Sequence, residues 1–133
     1  EIFETKSSLI FTHHYNDLNL DHRVAYEATI TAARPVPDSK VSSIISFEIP
    51  AATDWRKPYK FNPNLHIDIS SQLTTKVNAL KAYEYEFRKP PHPRSKEITE
   101  AVAKRWGSLS GFKAAEAFEI VMSRMSNLDK ISL

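Results

Sequence analysis

Two short apolar runs mark candidate strands, Ser8–Thr12 (SLIFT) and Val41–Ile49 (VSSIISFEI), each too short for a helix and rich in Ile and Phe. Between them, Asp21–Arg34 carries good helix formers, with Val24, Ala28 and Ala32 at four-residue spacing and Pro35 as the stop. Strand, helix, strand is a βαβ unit. In such a unit ligands bind beyond the carboxyl ends of the strands, here at the loop His13–Leu20. Residues Pro50–Pro63 hold three prolines with Trp55, Tyr59 and Phe61, and read as an ordered surface excursion able to wall a pocket.

Farther on, His66–Ile69 alternates as a short strand, and Ser70 or Ser71 can cap a helix from Leu73 to about Arg88 with Val77, Leu80, Glu84 and Phe87 on one face. Lys89–Arg94 (KPPHPR) stops it. Ser95 can cap a further helix with Ile98, Val102 and Trp106 in line, broken at Gly107, and Ser110 can start a last one through Ala115, Phe118, Met122 and Met125. Two long strands, a short third and about four helices make a poor closed sheet. The expectation is therefore a single α/β domain over 1–133 that is part of a larger fold. A start at Glu1 rather than Met points the same way.

Composition narrows the chemistry. With 41% hydrophobic residues the chain can bury a modest core, and 18 Lys plus Arg against 16 acids, scattered rather than clustered, give no footprint for nucleic acid. Cysteine is absent, so a transition-metal site would use His and carboxylates. No apolar run approaches the roughly 20 residues that span a bilayer. A cytoplasmic location is expected, and apolar surface left by an incomplete fold predicts a homo-oligomer.

The densest set of potential ligands is His13, His14, Asp17, Asp21 and His22, five groups within ten residues. Imidazole and carboxylate suit catalytic zinc, which keeps one position open for water. The same pattern also suits a helix N-cap at Asp21 with ordinary loop histidines, and spacing alone leaves both open. Elsewhere, Arg94 and His92 in the proline-framed loop, and Asp68, can contact a sugar hydroxyl or phosphate or can hold turns and surface pairs. Arg23 is placed on the helix surface or paired with Glu27. Trp55 and Tyr59 can stack on a sugar ring or anchor their loop.

The segment THHYNDLNLDHR (Thr12–Arg23), followed by a helix and an apolar strand, resembles the second motif of the PIG-L/LmbE-like N-acetyl-sugar deacetylases. FNPNLHIDIS (Phe61–Ser70), KVNALKAYEYEFR (Lys76–Arg88), PHPRS (Pro91–Ser95) and AAEAFEIV (Ala114–Val121) extend the likeness in the family's order over nearly the whole chain. The resemblance implies a Rossmann-like three-layer α/β/α fold, zinc as cofactor with His22 as a ligand, and hydrolysis of the acetamide of an N-acetylated amino sugar. It also implies an Ala-His-Pro-Asp-Asp-Glu motif supplying two more ligands and the general base, which this sequence lacks. Where many members carry a second His, this chain has Asn19, whose amide can donate to an oxyanion but not act as an acid. His13 or His14 would then protonate the leaving amine, and Asp21 would orient the site beside His22. The alternative is a non-catalytic α/β domain for oligomerisation or partner binding.

Overall fold

The computed structural model describes residues 7–125. It shows β1 (Leu9–His13), α1 (Leu20–Ala32), β2 (Ser43–Phe47), β3 (Leu65–Asp68), α2 (Leu73–Lys81), α3 (Lys96–Ser110) and β4 (Ala115–Ser123). The strands form one mixed sheet in the order β1-β2-β4-β3. β1 and β2 run parallel, joined through α1, and β4 runs antiparallel to both β2 and β3. The α/β class and the βαβ unit at the start are therefore present.

Cross-strand register sorts the side chains into two faces. Ile10, Thr12, Ile44, Ser46, Ala115 and Ala117 share one face. Against it α1 packs Ile30, with Ala33 just beyond its end, while α3 packs Ala103 and Trp106 on the β4 side. The opposite face carries Phe11, Ile45 and Phe118. Phe11 leans across Ile45 to meet the Phe118 ring edge-on at 5.5 Å, which buries Ile45 although Phe11 itself stays 48% exposed. Leu9, Ile67 and Ile120 on this face are also exposed.

The sequence expectation fails most clearly at the C-terminal end, where β4 replaces the helix predicted from Ser110. Gly111 takes φ 80 and closes α3 in the left-handed region, so no helix restarts there. The segment that holds Ala115 and Phe118 also reads with period two, as Ala115, Ala117 and Glu119 against Glu116, Phe118 and Ile120, and pairing with two strands selects that reading. Met125 lies past the strand's end.

Gly107 does not break α3, which continues to Ser110. It is a close-approach point instead: a Cβ there would sit 2.7 Å from both Cα and N of Ala114 and 2.8 Å from the Phe112 carbonyl oxygen. Ser95 caps this helix as expected, its hydroxyl accepting the Ile98 N–H. α2 ends at Lys81 rather than near Arg88, and Tyr83 and Tyr85 beyond it stand exposed, with no core for a longer helix to bury against. α1 turns Val24 and Ala28 outward, with Val24 57% exposed, so the ridge at four-residue spacing is the outer side of the helix.

Candidate functional site

The loop His14–Asn19 leaves the C-terminal end of β1 and folds into the first turn of α1. Asn19, not Asp21, is the N-cap: its φ and ψ are extended and its Oδ1 accepts the Asp21 N–H at 2.9 Å. Asp21 sits exposed in the first turn, where its charge suits the helix dipole. Arg23 reaches back so that Nη1 donates to the carbonyls of Asp17 (2.7 Å) and Leu18 (2.8 Å), tying the loop to the helix rather than pairing with Glu27.

Asp17 is the centre of this loop. It is fully buried, and Oδ1 accepts the Asn19 N–H at 2.8 Å. Oδ2 accepts the Thr53 hydroxyl at 2.6 Å, while that hydroxyl in turn accepts the Ile49 N–H at 2.8 Å. Thr53, itself 1% exposed, belongs to the loop after β2, so one carboxyl joins the two loops that follow the parallel strands. Asn16 adds a second tie, donating from Nδ2 to the Pro58 carbonyl.

His22, in the first turns of α1, points Nδ1 at Asp17 Oδ1, 3.1 Å away but off the line of a hydrogen bond. The ring stacks on His13 at 4.0 Å between centroids and 16° between planes. Its side chain keeps one-fifth of its surface open, and it lines a cleft of about 850 Å³ that reaches from the segments after β1 and β2 along β4 to α2 and α3. His13 is the last residue of β1; burial, then the neighbouring His22, lower its pKa, with Asp17 opposing.

His14, one residue on, is enclosed. Its Nδ1 accepts the Asn16 N–H at 3.1 Å, and its Nε2 lies 3.2 Å from Glu119 Oε2 on β4. Burial holds its pKa below the ordinary value, against the pull of Glu119. This placement makes His14 a support between the β1 loop and β4, out of reach of the cleft.

The remaining candidates separate in space. Arg94 lines the cleft, its Nε donating to the Pro50 carbonyl at 3.1 Å and its guanidinium paired with Glu86. His92 uses Nδ1 to accept the Arg94 N–H, and so shapes the turn that presents Arg94. Asp68 is away from the cleft; its carboxylate accepts the Ser70 N–H and hydroxyl, which lowers its pKa. Trp55 is 58% exposed and Tyr59 43%.

Glu48 is a cleft residue that sequence reasoning missed. It follows the last residue of β2, with Oε1 accepting Trp106 Nε1–H and Oε2 accepting the Tyr59 hydroxyl, both at 3.0 Å. Burial and then Glu48 raise the Tyr59 pKa. The available signal was an acid closing an apolar strand run, at the end where βαβ units bind ligands. Thr53 had no comparable signal.

Among the described residues no three His, Asp or Glu side chains converge to hold a metal ion. No helix among them is long and apolar enough to cross a membrane. Neither a protein-family model nor a curated protein matches the chain. Among solved structures, the crystal structure of the conserved protein TT1542 from Thermus thermophilus is similar over 98% of this chain, with TM-score 0.69 and 16% identity. The chain spans 59% of that protein's length. At this identity the likeness shows the fold alone.

Proposed function

We propose that this chain is part of a zinc-dependent N-deacetylase of the PIG-L/LmbE-like kind, with a Rossmann-like α/β/α fold, acting on an N-acetylated amino sugar. The observation that carries the reading is His22: an imidazole with one nitrogen facing a buried carboxyl, set at the start of the helix that follows the first of two parallel strands, and lining a cleft to which the segments after both strands contribute. The run DLNLDHR supplies the likeness to the family motif. A cleft of about 850 Å³ is large enough for a sugar with part of its carrier.

The described residues do not make a complete zinc site. They offer one imidazole, and catalytic zinc takes about three protein ligands, so the others would come from outside the described residues. Bound there, zinc would polarise the acetyl carbonyl and activate a water. The chain's own contribution is to bind and orient. Asn19 lines the cleft with Oδ1 committed to its helix cap, which leaves its Nδ2 hydrogens to donate to a developing oxyanion. Arg94, braced by Glu86 and Pro50, faces the cleft for a hydroxyl or phosphate of the substrate. Asp17 takes the orienting role that the motif alone suggests for Asp21.

The test is metal content and acetate release from an N-acetylglucosamine conjugate, measured on the full gene product and on its His22→Ala variant. The reading expects near-stoichiometric zinc and turnover, both falling at least about tenfold in the variant. Neither zinc nor turnover in the parent would leave the non-catalytic reading. That second reading draws on exposed apolar positions on both sides of the sheet, Leu20 and Val24 on the outer side of α1 and Leu9 and Phe11 on the opposite sheet face, either of which suits a second copy or another partner.

A further inference from the structure

We infer that Asp17 is a positioning residue that fixes His22 as its Nδ1–H tautomer and so presents an unprotonated Nε2 to the cleft, and that Thr53 of the following loop sets Asp17 for this task. Its consequence for catalysis rests on the deacetylase reading; the tautomer itself does not.

A neutral imidazole carries its proton on one nitrogen, and the protein decides which. His22 Nδ1 is buried and makes no hydrogen bond in line, and the polar atom it faces is Asp17 Oδ1 at 3.1 Å. A carboxylate only accepts. With the proton on Nδ1 this contact is favourable and tightens with a small ring rotation. With the proton on Nε2, two lone pairs would face each other in a buried pocket, at a cost no other neighbour relieves. Among the described residues nothing is hydrogen-bonded to Nε2, and the ring, one-fifth open, lines the cleft. Stacking on His13 limits the ring's rotation out of this plane.

Asp17 can do this because its own position is fixed on both oxygens. The Asn19 N–H holds Oδ1, the Thr53 hydroxyl holds Oδ2, and the hydroxyl's single proton is directed at Asp17 because its oxygen already accepts the Ile49 N–H. Thr53 is thereby a one-way donor. The loop after β2 thus acts on the imidazole after β1 through a single carboxyl, and the Pro50–Pro63 excursion supports the site as well as walling it.

His14 provides the internal contrast. Its Nδ1 accepts the Asn16 N–H, so its neutral form carries the proton on Nε2 toward Glu119. Adjacent segments of the chain therefore hold two histidines in opposite tautomers.

The test is long-range nitrogen–proton correlation NMR on the full gene product labelled with ¹⁵N-histidine, metal-free and near neutral pH, in the parent and in Asp17→Asn, Asp17→Ala and Thr53→Val. The expected parent spectrum shows His22 protonated at Nδ1. Asp17→Asn keeps that form, because an amide oxygen still accepts the proton, whereas Asp17→Ala reduces the Nδ1–H to Nε2–H ratio by about tenfold, the worth of one charge-assisted hydrogen bond. Thr53→Val shifts the ratio in the same direction by less, and carries the test if Asp17→Ala does not fold. Protonation at Nε2 in the parent overturns the inference. So does an unchanged ratio in a folded Asp17→Ala, or in Thr53→Val where the alanine variant is lost. Turnover with an Nε2–H parent would remove this inference and leave the deacetylase reading, and an Nδ1–H parent without turnover would do the reverse.

Discussion

His14 and His22 lie eight positions apart in one loop-and-helix segment, yet the fold uses them in opposite ways. His14 has no exposed surface, and each of its nitrogens faces a protein atom, so every property of its ring goes into joining the β1 loop to β4. His22 faces Asp17 with Nδ1, while its ring stays one-fifth open and lines the cleft. Chemistry needs the second arrangement, because a ring with no free nitrogen has nothing to offer a substrate or metal. Proximity in sequence to a motif is a poor guide to which histidine that will be; the element under it decides.

Exchanging each ring for a methyl group is the strongest way to break this contrast. His14→Ala removes a buried ring and strands the Asn16 N–H and Glu119, and should cost about 2–4 kcal/mol in a denaturant melt. His22→Ala, at a part-open position, should cost under about 1 kcal/mol in the same melt while removing the zinc binding proposed for it. Equal losses at the two positions would erase the distinction.

Gly107→Ala tests the frame behind the cleft. α3 carries Trp106, the donor to Glu48, and an added methyl would meet Ala114 backbone at 2.7 Å. About 1–3 kcal/mol should be lost in thermal unfolding despite alanine's better helix propensity, with the cleft wall displaced and His14 still sealed. A stable Gly107→Ala would mean that α3 can move away from β4 at no cost.

The smallest effect is with pH. His13 and His14 both have folded pKa values below the ordinary 6.5, chiefly through burial. The unfolded chain then binds more protons than the folded one as pH falls through 6.5, so stability is full above that value and declines below it. Melting temperature should fall between about pH 7 and pH 5, and His14→Gln, which cannot titrate, should flatten the decline. A melting temperature that rises toward the acid end of this range would contradict the burial of these rings.

The start of the fold was legible because its signals are local: short β-rich runs, a helix between them, and a polar loop where a βαβ unit places its ligands. β1, β2 and β3 all fall on the runs that suggested them. β4 was not legible because AEAFEIVMS satisfies helical and strand spacing alike, and only its pairing with β2 and β3 decides. The site divides in the same way. His22 and Asn19 stood out through a motif, and both line the cleft. Asp17 stood among several candidates with nothing to show that it, rather than Asp21, faces His22, since that depends on a contact with Thr53 across 36 positions. Glu48 depends similarly on Trp106, brought in by a helix 58 positions away.

The most direct measurement is residue-resolved modification of the folded full gene product by diethyl pyrocarbonate, which acylates accessible unprotonated imidazole nitrogens, followed by peptide mass spectrometry. Rapid modification at His22 is expected, with protection of His14 until the protein is unfolded by denaturant. Comparable rates at both residues in the folded protein, or protection of His22 with an open His14, would contradict the division of roles between the two rings.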